Sequence, residues 1–169
     1  KYGASVPFFR SEATANDYAS TDDVIMEVLK TYEERGEHFD NFCCIYPTAP
    51  FVTGERLKQA MELLADSDSV MPVVLFSYPP QRGLLISEEG FLKRQFPEYA
   101  LARSQDLQKI YHDCGQFYAC RTDVFLKEGT TDVKGQVPLV LTEMEVQDID
   151  TLEDWEIAEI KYRRLHSES

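Results

Sequence analysis

Two aspartates, Asp148 and Asp150, flank Ile149 just before a stretch with helical periodicity that begins at Thr151. The pattern predicts that a strand ends here, and side chains two positions apart on a strand share one face. Carboxylate oxygens are hard ligands, and Mg²⁺ commonly takes one or two of them together with water and substrate phosphates. The aspartate pair therefore indicates a magnesium site that handles a nucleotide.

A structural role for acidic residues at this position stays open. Thr151 is a suitable N-cap for the following helix, and Asp154, three residues later, completes a capping-box pattern. Acidic side chains near a helix N-terminus also stabilise the helix dipole without taking part in chemistry. Spacing alone leaves both a metal site and a helix cap possible.

Size and charge narrow the class of protein. The 169 residues, of which 43% are hydrophobic, predict a single globular domain over residues 1–169 with a real core. The chain carries 17 Lys+Arg against 30 Asp+Glu, a formal net charge of −13. Because such a surface repels a phosphate backbone, we expect no nucleic-acid partner. A small anionic ligand remains compatible, since local cations or a metal reverse the field inside a cleft.

Cysteine usage and hydropathy indicate the compartment. The four cysteines form neither a C-x₂-C pair nor a dense disulfide framework, so we expect reduced thiols. The chain shows no apolar run of about 18 residues and no charged-then-apolar leader. The resulting expectation is a cytoplasmic protein that does not bind a membrane.

The elements that must position the aspartates alternate along the chain. Helix patterns begin near Ser20, Gly54 and Thr151, and strand patterns cover residues 41–46, 70–76, 115–121 and 137–145. Because parallel neighbours need crossover connections, this alternation predicts an α/β fold with a mostly parallel, Rossmann-like sheet. Ligands of such sheets bind outside the carboxyl ends of the strands. The proline-containing loops 47–50 and 78–82 are expected at that edge with the aspartates.

Residues 83–107 interrupt the alternation. Residues 84–86 and 91–94 flank the polar turn 87–90, which predicts a β-hairpin followed by an irregular segment. Two interpretations stay open for this insertion. It is either a flap or dimerisation arm, or an ordinary surface excursion.

Five ordered motifs resemble the acylneuraminate cytidylyltransferase family, and within it the pseudaminic acid branch. They are YPTAPF at 46–51, SYPPQR at 77–82, ARSQDL at 102–107, YHDCGQFY at 111–118 and DIDT at 148–151. The resemblance covers essentially the whole chain and implies a fold of the nucleotide-diphospho-sugar transferase type. It also implies that CMP passes from CTP to the anomeric hydroxyl of a nine-carbon 2-keto acid sugar, with release of pyrophosphate, in a Mg²⁺-dependent homodimer whose arm is 83–107.

The start of the chain departs from the family pattern. Family members open with a strand and a glycine-rich basic loop that grips the CTP phosphates, and this sequence has no such segment. Lys1-Tyr2-Gly3-Ala4 resembles a point already past that loop. We therefore expect an N-terminally truncated chain, in which the 169 residues alone bind CTP poorly and are inactive.

The resemblance also implies roles for individual residues. It assigns the metal and the catalytic chemistry to Asp148 and Asp150, and the cytosine end of CTP to Arg10 and Ser20. The remaining substrate-binding candidates lie in or beside the motifs: Tyr46, Thr48, Gln81, Arg82, Arg103, Gln105, Tyr111, His112 and Tyr118. Arg82 and Arg103 are the cations that would hold the sugar carboxylate. Tyr46 replaces a glutamine of sialic acid enzymes, which favours a less hydroxylated sugar.

Several of these residues also have simpler explanations. Ser20 is a good helix cap, the arginines could be solvated surface charges, and Tyr118 could belong to the core. His112 adjoins Asp113, but neighbours on a strand point to opposite faces, which argues against an oriented His-Asp pair. Two alternative functions stay open: a cytidylyltransferase for sialic, legionaminic or an eight-carbon keto acid, and a non-catalytic α/β interaction domain.

Overall fold

The structure, a computed structural model, describes residues 3–167, so Lys1 and Tyr2 of the expected truncation point lie outside the described residues. The helices are α1 (Thr21–Glu34), α2 (Gly54–Leu64), α3 (Thr122–Glu128) and α4 (Leu152–His166). The strands are β1 (Asn41–Ile45), β2 (Ser69–Leu75), β3 (Leu84–Ile86), β4 (Leu92–Arg94), β5 (Tyr111–Asp113), β6 (Phe117–Arg121) and β7 (Gln136–Leu141). Four short 3₁₀ turns join them: Pro80–Arg82, Pro97–Tyr99, Ser104–Asp106 and Glu143–Glu145.

Sheet topology corrects the predicted parallel arrangement. The main sheet has the order β1-β6-β2-β5, and β7 also pairs with β2. β2 runs antiparallel to β6 and antiparallel to β5. The prediction of a mostly parallel sheet was therefore wrong. Strand–helix–strand alternation requires a crossover between β1 and β2, but it does not make them neighbours, and β6 lies between them.

The described chain divides into two compact units. The first unit comprises residues 3–45, 55–70 and 118–137, and the second comprises residues 46–54, 71–117 and 138–167. Ser69 and Val70 of β2 pair with Cys120 and Ala119 of β6 within the first unit. The β2–β5 pairing, from Val73 opposite Asp113 to Leu75 opposite Tyr111, lies within the second.

The first unit has a core between α1, α3 and the sheet. Ile25 and Leu29 of α1 bury against Cys120 and Phe125, and the Phe125 ring packs edge-on against Phe42 at 5.2 Å. Burial of an aliphatic or aromatic side chain of this size contributes about 1.5–3 kcal/mol. α1 starts where the sequence predicts, because the Ser20 side chain caps it.

The second unit contains the hairpin and the segment that carries the aspartates. β3 and β4 pair antiparallel, which confirms the predicted hairpin within 83–107. β7 ends at Leu141, however, and Asp148–Asp150 lies in the irregular connection to α4. The predicted strand up to residue 145 was therefore too long, because a 3₁₀ turn capped by Thr142 begins immediately after β7.

The predicted pattern of helices and strands lacked two elements that the structure contains. β5 and α3 are too short to show a clear apolar period, so they are absent from the predicted pattern, and we expected strand geometry there only for His112 and Asp113. All four cysteines are free thiols, as expected. No helix formed by residues 3–167 has the length and apolar character needed to cross a bilayer.

Candidate active site

A tight turn at Gly115 is the centre of the candidate site in the second unit. Gly115 has φ +61°, a left-handed conformation that glycine adopts at little cost. Its N–H donates to Asp113 Oδ1 at 2.9 Å, and the carboxylate of Asp148 lies against its α-carbon, 3.6 Å from the position of a β-carbon. The turn therefore brings two acidic side chains, Asp113 and Asp148, to one glycine.

The residue after this turn anchors the segment that carries the aspartates. Gln116 is 2% exposed, and its Nε2 donates to the carbonyl of Glu145 at 2.5 Å. Lys161 of α4 holds the same segment, because its Nζ donates to the carbonyls of Glu143 and Val146 at 2.9 and 2.6 Å. These contacts fix the connection between β7 and α4, which we call the aspartate loop, residues 142–151.

The capping interaction at α4 is made by Asp154. Its Oδ2 accepts from the N–H and hydroxyl of Thr151 at 2.9 and 2.7 Å, and the Thr151 hydroxyl accepts from the N–H of Asp154. The Thr151 hydroxyl is the main reason why the pKa of Asp154 is lowered. This confirms the capping box. The N–H of Asp150 also donates to Asp154 Oδ2 at 3.3 Å, but the cap uses neither the Asp148 nor the Asp150 carboxylate.

The two aspartates are left available for a ligand. Both are exposed, and no described residue forms a hydrogen bond or ion pair with either carboxylate. Ile149 between them is half-buried and lines an apolar groove of about 330 Å³ with Pro50 and Trp155. Two exposed acids thus flank a packed isoleucine, although the segment is an irregular loop and not the strand that the sequence predicted.

The donor set can be compared with the needs of a metal ion. Within residues 3–167, no group of three or more His, Cys, Asp or Glu side chains converges as a ready metal site. Mg²⁺ needs no such cage, because it keeps several waters and completes its shell with substrate phosphates around one or two carboxylates. The donor chemistry of Asp148 and Asp150 therefore fits Mg²⁺ better than a metal bound entirely by protein ligands.

A second cluster joins the turn at Pro80–Arg82 to the segment after the hairpin. Arg82 is exposed, and its Nη1 donates to Ser104 Oγ at 3.3 Å. Gln81 is 8% exposed and donates through Nε2 to the carbonyl of Gln108 at 2.9 Å. Arg103 instead forms an ion pair with Asp106 at 2.7 Å. The charge of Arg103 is thus already met by a carboxylate, whereas Arg82 contacts a neutral hydroxyl and is the better cation for an anion.

Strand β5 presents Tyr111 and His112 beside this cluster. Both side chains are exposed, and His112 packs on Phe76 with ring centroids 4.5 Å apart. Nδ1 of His112 lies 2.8 Å from the backbone carbonyl of Asp113, so this nitrogen carries the proton. The contact is with the main chain and not with the carboxylate, in agreement with the argument against a His-Asp pair.

One predicted residue, Tyr46, is placed by its backbone beside the Gly115 turn. The N–H of Tyr46 donates to the carbonyl of Gln116 at 2.9 Å, which brings the start of the proline-containing loop to the turn. Thr48 in that loop and Gln105 after the hairpin are exposed.

Cys114, which directly precedes Gly115, is buried, and burial raises the pKa of its thiol to about 12. Cys114 is therefore a neutral core residue and not a nucleophile.

Arg10, Ser20 and Tyr118 belong to the first unit. Ser20 forms the capping box of α1 with Asp23, which confirms the simpler explanation that Ser20 is a helix cap. Tyr118 is half-buried in β6. Arg10 is exposed and lies outside any helix or strand.

An acid that the sequence did not single out holds the chain after Arg10. Glu27 of α1 accepts from the N–H and hydroxyl of Ser11 at 2.6 and 3.0 Å, and also from the hydroxyl of Thr14. These hydrogen bonds, led by the Thr14 hydroxyl, lower the pKa of Glu27. They fix the loop of residues 11–14, which directly follows Arg10.

Asp113, Gly115 and Gln116 are the site residues that the sequence interpretation did not assign. An Asp-x-Gly sequence is a turn signal, because the aspartate side chain accepts from the backbone two residues later and glycine supplies a positive φ. That local signal was available. The bond from Gln116 to Glu145 was not, since 29 residues separate the partners.

Comparisons with known proteins identify relatives of the chain. No family model matches the chain. The chain is 34% identical over 168 residues to the pseudaminic acid cytidylyltransferase of Campylobacter jejuni serotype O:2, covering 98% of this chain and 72% of that protein. It is 29% identical over 177 residues to the CMP-N,N'-diacetyllegionaminic acid synthase of Legionella pneumophila, covering 100% of this chain and 73% of that protein.

A solved structure shares the fold. CMP:2-keto-3-deoxy-manno-octonic acid synthetase in complex with CTP superposes with a TM-score of 0.53 at 14% identity, over 91% of this chain and 71% of that chain. The curated relatives, together with the shared mixed α/β fold, place the chain among the cytidylyltransferases of CMP-sugar synthesis. The chain belongs to the acylneuraminate cytidylyltransferase family.

Proposed function

We propose that the protein transfers CMP from CTP to the anomeric hydroxyl of a nine-carbon 2-keto acid sugar of the pseudaminic acid type and releases pyrophosphate. The observation that carries the proposal is the pair of exposed carboxylates of Asp148 and Asp150, neither of which takes part in the adjacent helix cap. The relative at 34% identity is a pseudaminic acid cytidylyltransferase, which supports the family and its cytidylyl-transfer chemistry. Mg²⁺ is the metal whose coordination habits fit this pair.

The reaction is an in-line displacement at the α-phosphorus. The anomeric oxygen forms a bond to phosphorus while the bond to the bridging oxygen of pyrophosphate breaks, and the hydroxyl proton leaves with water or a base. A Mg²⁺ ion at this site would neutralise phosphate charge and lower the pKa of the attacking hydroxyl. The protein's contribution is to hold Asp148 and Asp150 in place through the Gly115 turn, Gln116 and the cap at Thr151.

Arg82 is our proposed partner for the sugar carboxylate. A guanidinium can hold a carboxylate with two parallel hydrogen bonds, and Arg82 is exposed with one 3.3 Å bond to Ser104. Arg103 is engaged by Asp106 and therefore ranks second. We assign Tyr46, Thr48, Gln105, Tyr111, His112 and Tyr118 to the sugar side as well, and Arg10 and Ser20 to CTP, with support from the motifs alone. A homodimer joined through 83–107 rests on the same resemblance.

The activity can be tested with the full-length protein, CTP, Mg²⁺ and a panel of keto acid sugars, with pyrophosphate as the readout. We expect turnover with the pseudaminic acid type to exceed turnover with sialic, legionaminic and eight-carbon acids. A preference for one of the other acids would keep the family chemistry and change the substrate. Absence of turnover with every acid would contradict the proposal and favour a non-catalytic domain.

The metal assignment needs its own variants. Asp148→Asn and Asp150→Asn should each lower kcat by at least about a hundredfold, because each removes a charged metal ligand. Glu153→Gln is the matched control, since Glu153 is an exposed acid in the first turn of α4, which directly follows the aspartate loop. Mn²⁺ affinity in the presence of CTP should weaken in both aspartate variants and stay unchanged in the control. Full activity of Asp150→Asn would remove the metal assignment.

A further inference from the structure

We propose that Gln81 is a positioning residue, which locks the segment 104–108 onto the Arg82 turn and thereby orients the arginine that takes the sugar carboxylate. The inference rests on the proposed function and deepens it on the sugar side. It also changes the role that the motifs imply for Gln81. A side chain that is 8% exposed acts through its neighbours and not by direct contact with a sugar.

The backbone around Gln81 is restricted. Pro79 and Pro80 precede it, and the turn closes through bonds from the N–H of Arg82 to the carbonyl of Pro79 at 3.0 Å and from Gly83 to Pro80 at 2.9 Å. Gln81 is the buried residue of this 3₁₀ turn, whereas Arg82 is exposed. Consecutive residues thus point one amide into the protein and one guanidinium outward.

Both side chains fasten the same segment. Gln81 Nε2 donates to the carbonyl of Gln108 at 2.9 Å, and Arg82 Nη1 donates to Ser104 Oγ at 3.3 Å. The 104–108 segment is therefore tied to the turn near each of its ends. Movement of this segment would move Ser104, and with it the guanidinium of Arg82.

The carbonyl oxygen of the Gln81 side-chain amide contributes no hydrogen bond to the described structure. Oε1 of Gln81 is buried and has no hydrogen-bond partner among the described residues. A buried acceptor without a donor lowers stability, because it has lost its water and gained nothing in return. Packing alone would be served better by methionine, so the bond from Nε2 to Gln108 is what accounts for a glutamine here.

The test compares two variants of the full-length protein in steady-state kinetics. Gln81→Met keeps the volume and removes the donor, and Gln81→Glu keeps the shape but places an acceptor against the carbonyl of Gln108. We expect each to raise KM for the sugar acid about tenfold and to leave KM for CTP unchanged. Gln136→Met is the matched control, because Gln136 Nε2 also donates to one backbone carbonyl, that of Thr131, at 2.9 Å.

A second readout is independent of activity. The amides of Asp106 and Leu107 are hydrogen-bonded within the segment, so their hydrogen exchange should accelerate in both Gln81 variants and not in the control. Faster exchange with both KM values unchanged, or with both raised equally, would overturn the positioning role. Unchanged exchange would overturn the clamp itself. A wild-type protein inactive with every sugar would reject the proposed function, while the exchange data would still decide whether Gln81 holds the segment.

Discussion

Two loops that contain or adjoin candidate site residues are held by different chemistry. In the first unit, the carboxylate of Glu27 holds the loop 11–14, which follows Arg10. In the second unit, the amide of Gln116 holds the aspartate loop at Glu145. Glu27 is half-buried, whereas Gln116 is 2% exposed.

The difference shows how burial selects the anchoring group. A carboxylate in contact with solvent can accept three hydrogen bonds cheaply, but its hold depends on its ionisation. A buried anchor works best without charge, because desolvation of an ion costs more than one hydrogen bond returns. Because Gln116 does not ionise, its hold on the loop of the proposed metal ligands does not change with pH. The hold of Glu27 on the loop beside Arg10 does change, since protonation removes its charge.

The largest effect is expected from removal of the buried anchor. Gln116→Met keeps the packing volume and leaves the Glu145 carbonyl without its donor, which should cost about 1–3 kcal/mol of unfolding free energy. Because Asp148 and Asp150 follow on the same loop, kcat should also fall by at least about tenfold. Urea denaturation and steady-state kinetics measure the two effects.

Gln95→Met is the control for this substitution. Gln95 is exposed, and its side chain forms no hydrogen bond among the described residues. Both its stability and its activity should remain within error of the wild type. If Gln116→Met were as stable and as active as Gln95→Met, the anchoring role of the buried amide would be wrong.

The next effect concerns the backbone of the Gly115 turn. Gly115→Ala places a β-carbon on a residue with φ +61°, which should lower the unfolding free energy by about 1–2 kcal/mol. Gly54→Ala is the matched control, since Gly54 begins α2 and has open space around it without a positive φ. Thermal or urea denaturation should show a loss for Gly115→Ala and none for Gly54→Ala. Equal behaviour of the two variants would mean that the turn relaxes without cost.

Local features of the fold were predictable from the sequence because their causes are local. Ser20 and Thr151 cap the helices that they precede, and the hairpin forms around its polar turn. The sheet was not predictable in the same way. The insertion of β6 between β1 and β2 depends on pairings such as Ser69 with Cys120, and no local period reports a partner so far along the chain.

The same distinction between local and long-range causes applies to the candidate site. Asp148 and Asp150 could be found because an alternating pair of acids before a cap is a short pattern. The capping role of Asp154 also followed from its spacing, but the structure was needed to show that neither neighbouring carboxylate takes part in the cap. The anchors Gln116 and Glu27 could not be found, since each acts across a long sequence separation and neither residue type signals a site by itself.

The smallest expected effect is a pH dependence of the hold that Glu27 has on the loop beside Arg10. Because hydrogen bonds, first that from Thr14, lower the pKa of Glu27 in the folded protein, its ionised form stabilises the fold. A lowered pKa contributes stability above the unfolded value, near 4.5, and this contribution is lost as pH falls through the lowered folded pKa. Glu27→Gln should therefore lower the urea midpoint at pH 7, and the difference from wild type should shrink below pH 4.5. Glu34→Gln, at the exposed end of the same helix, should show no such difference. A gap for Glu27→Gln that stays constant down to acid pH would show that shape, and not charge, holds the loop beside Arg10.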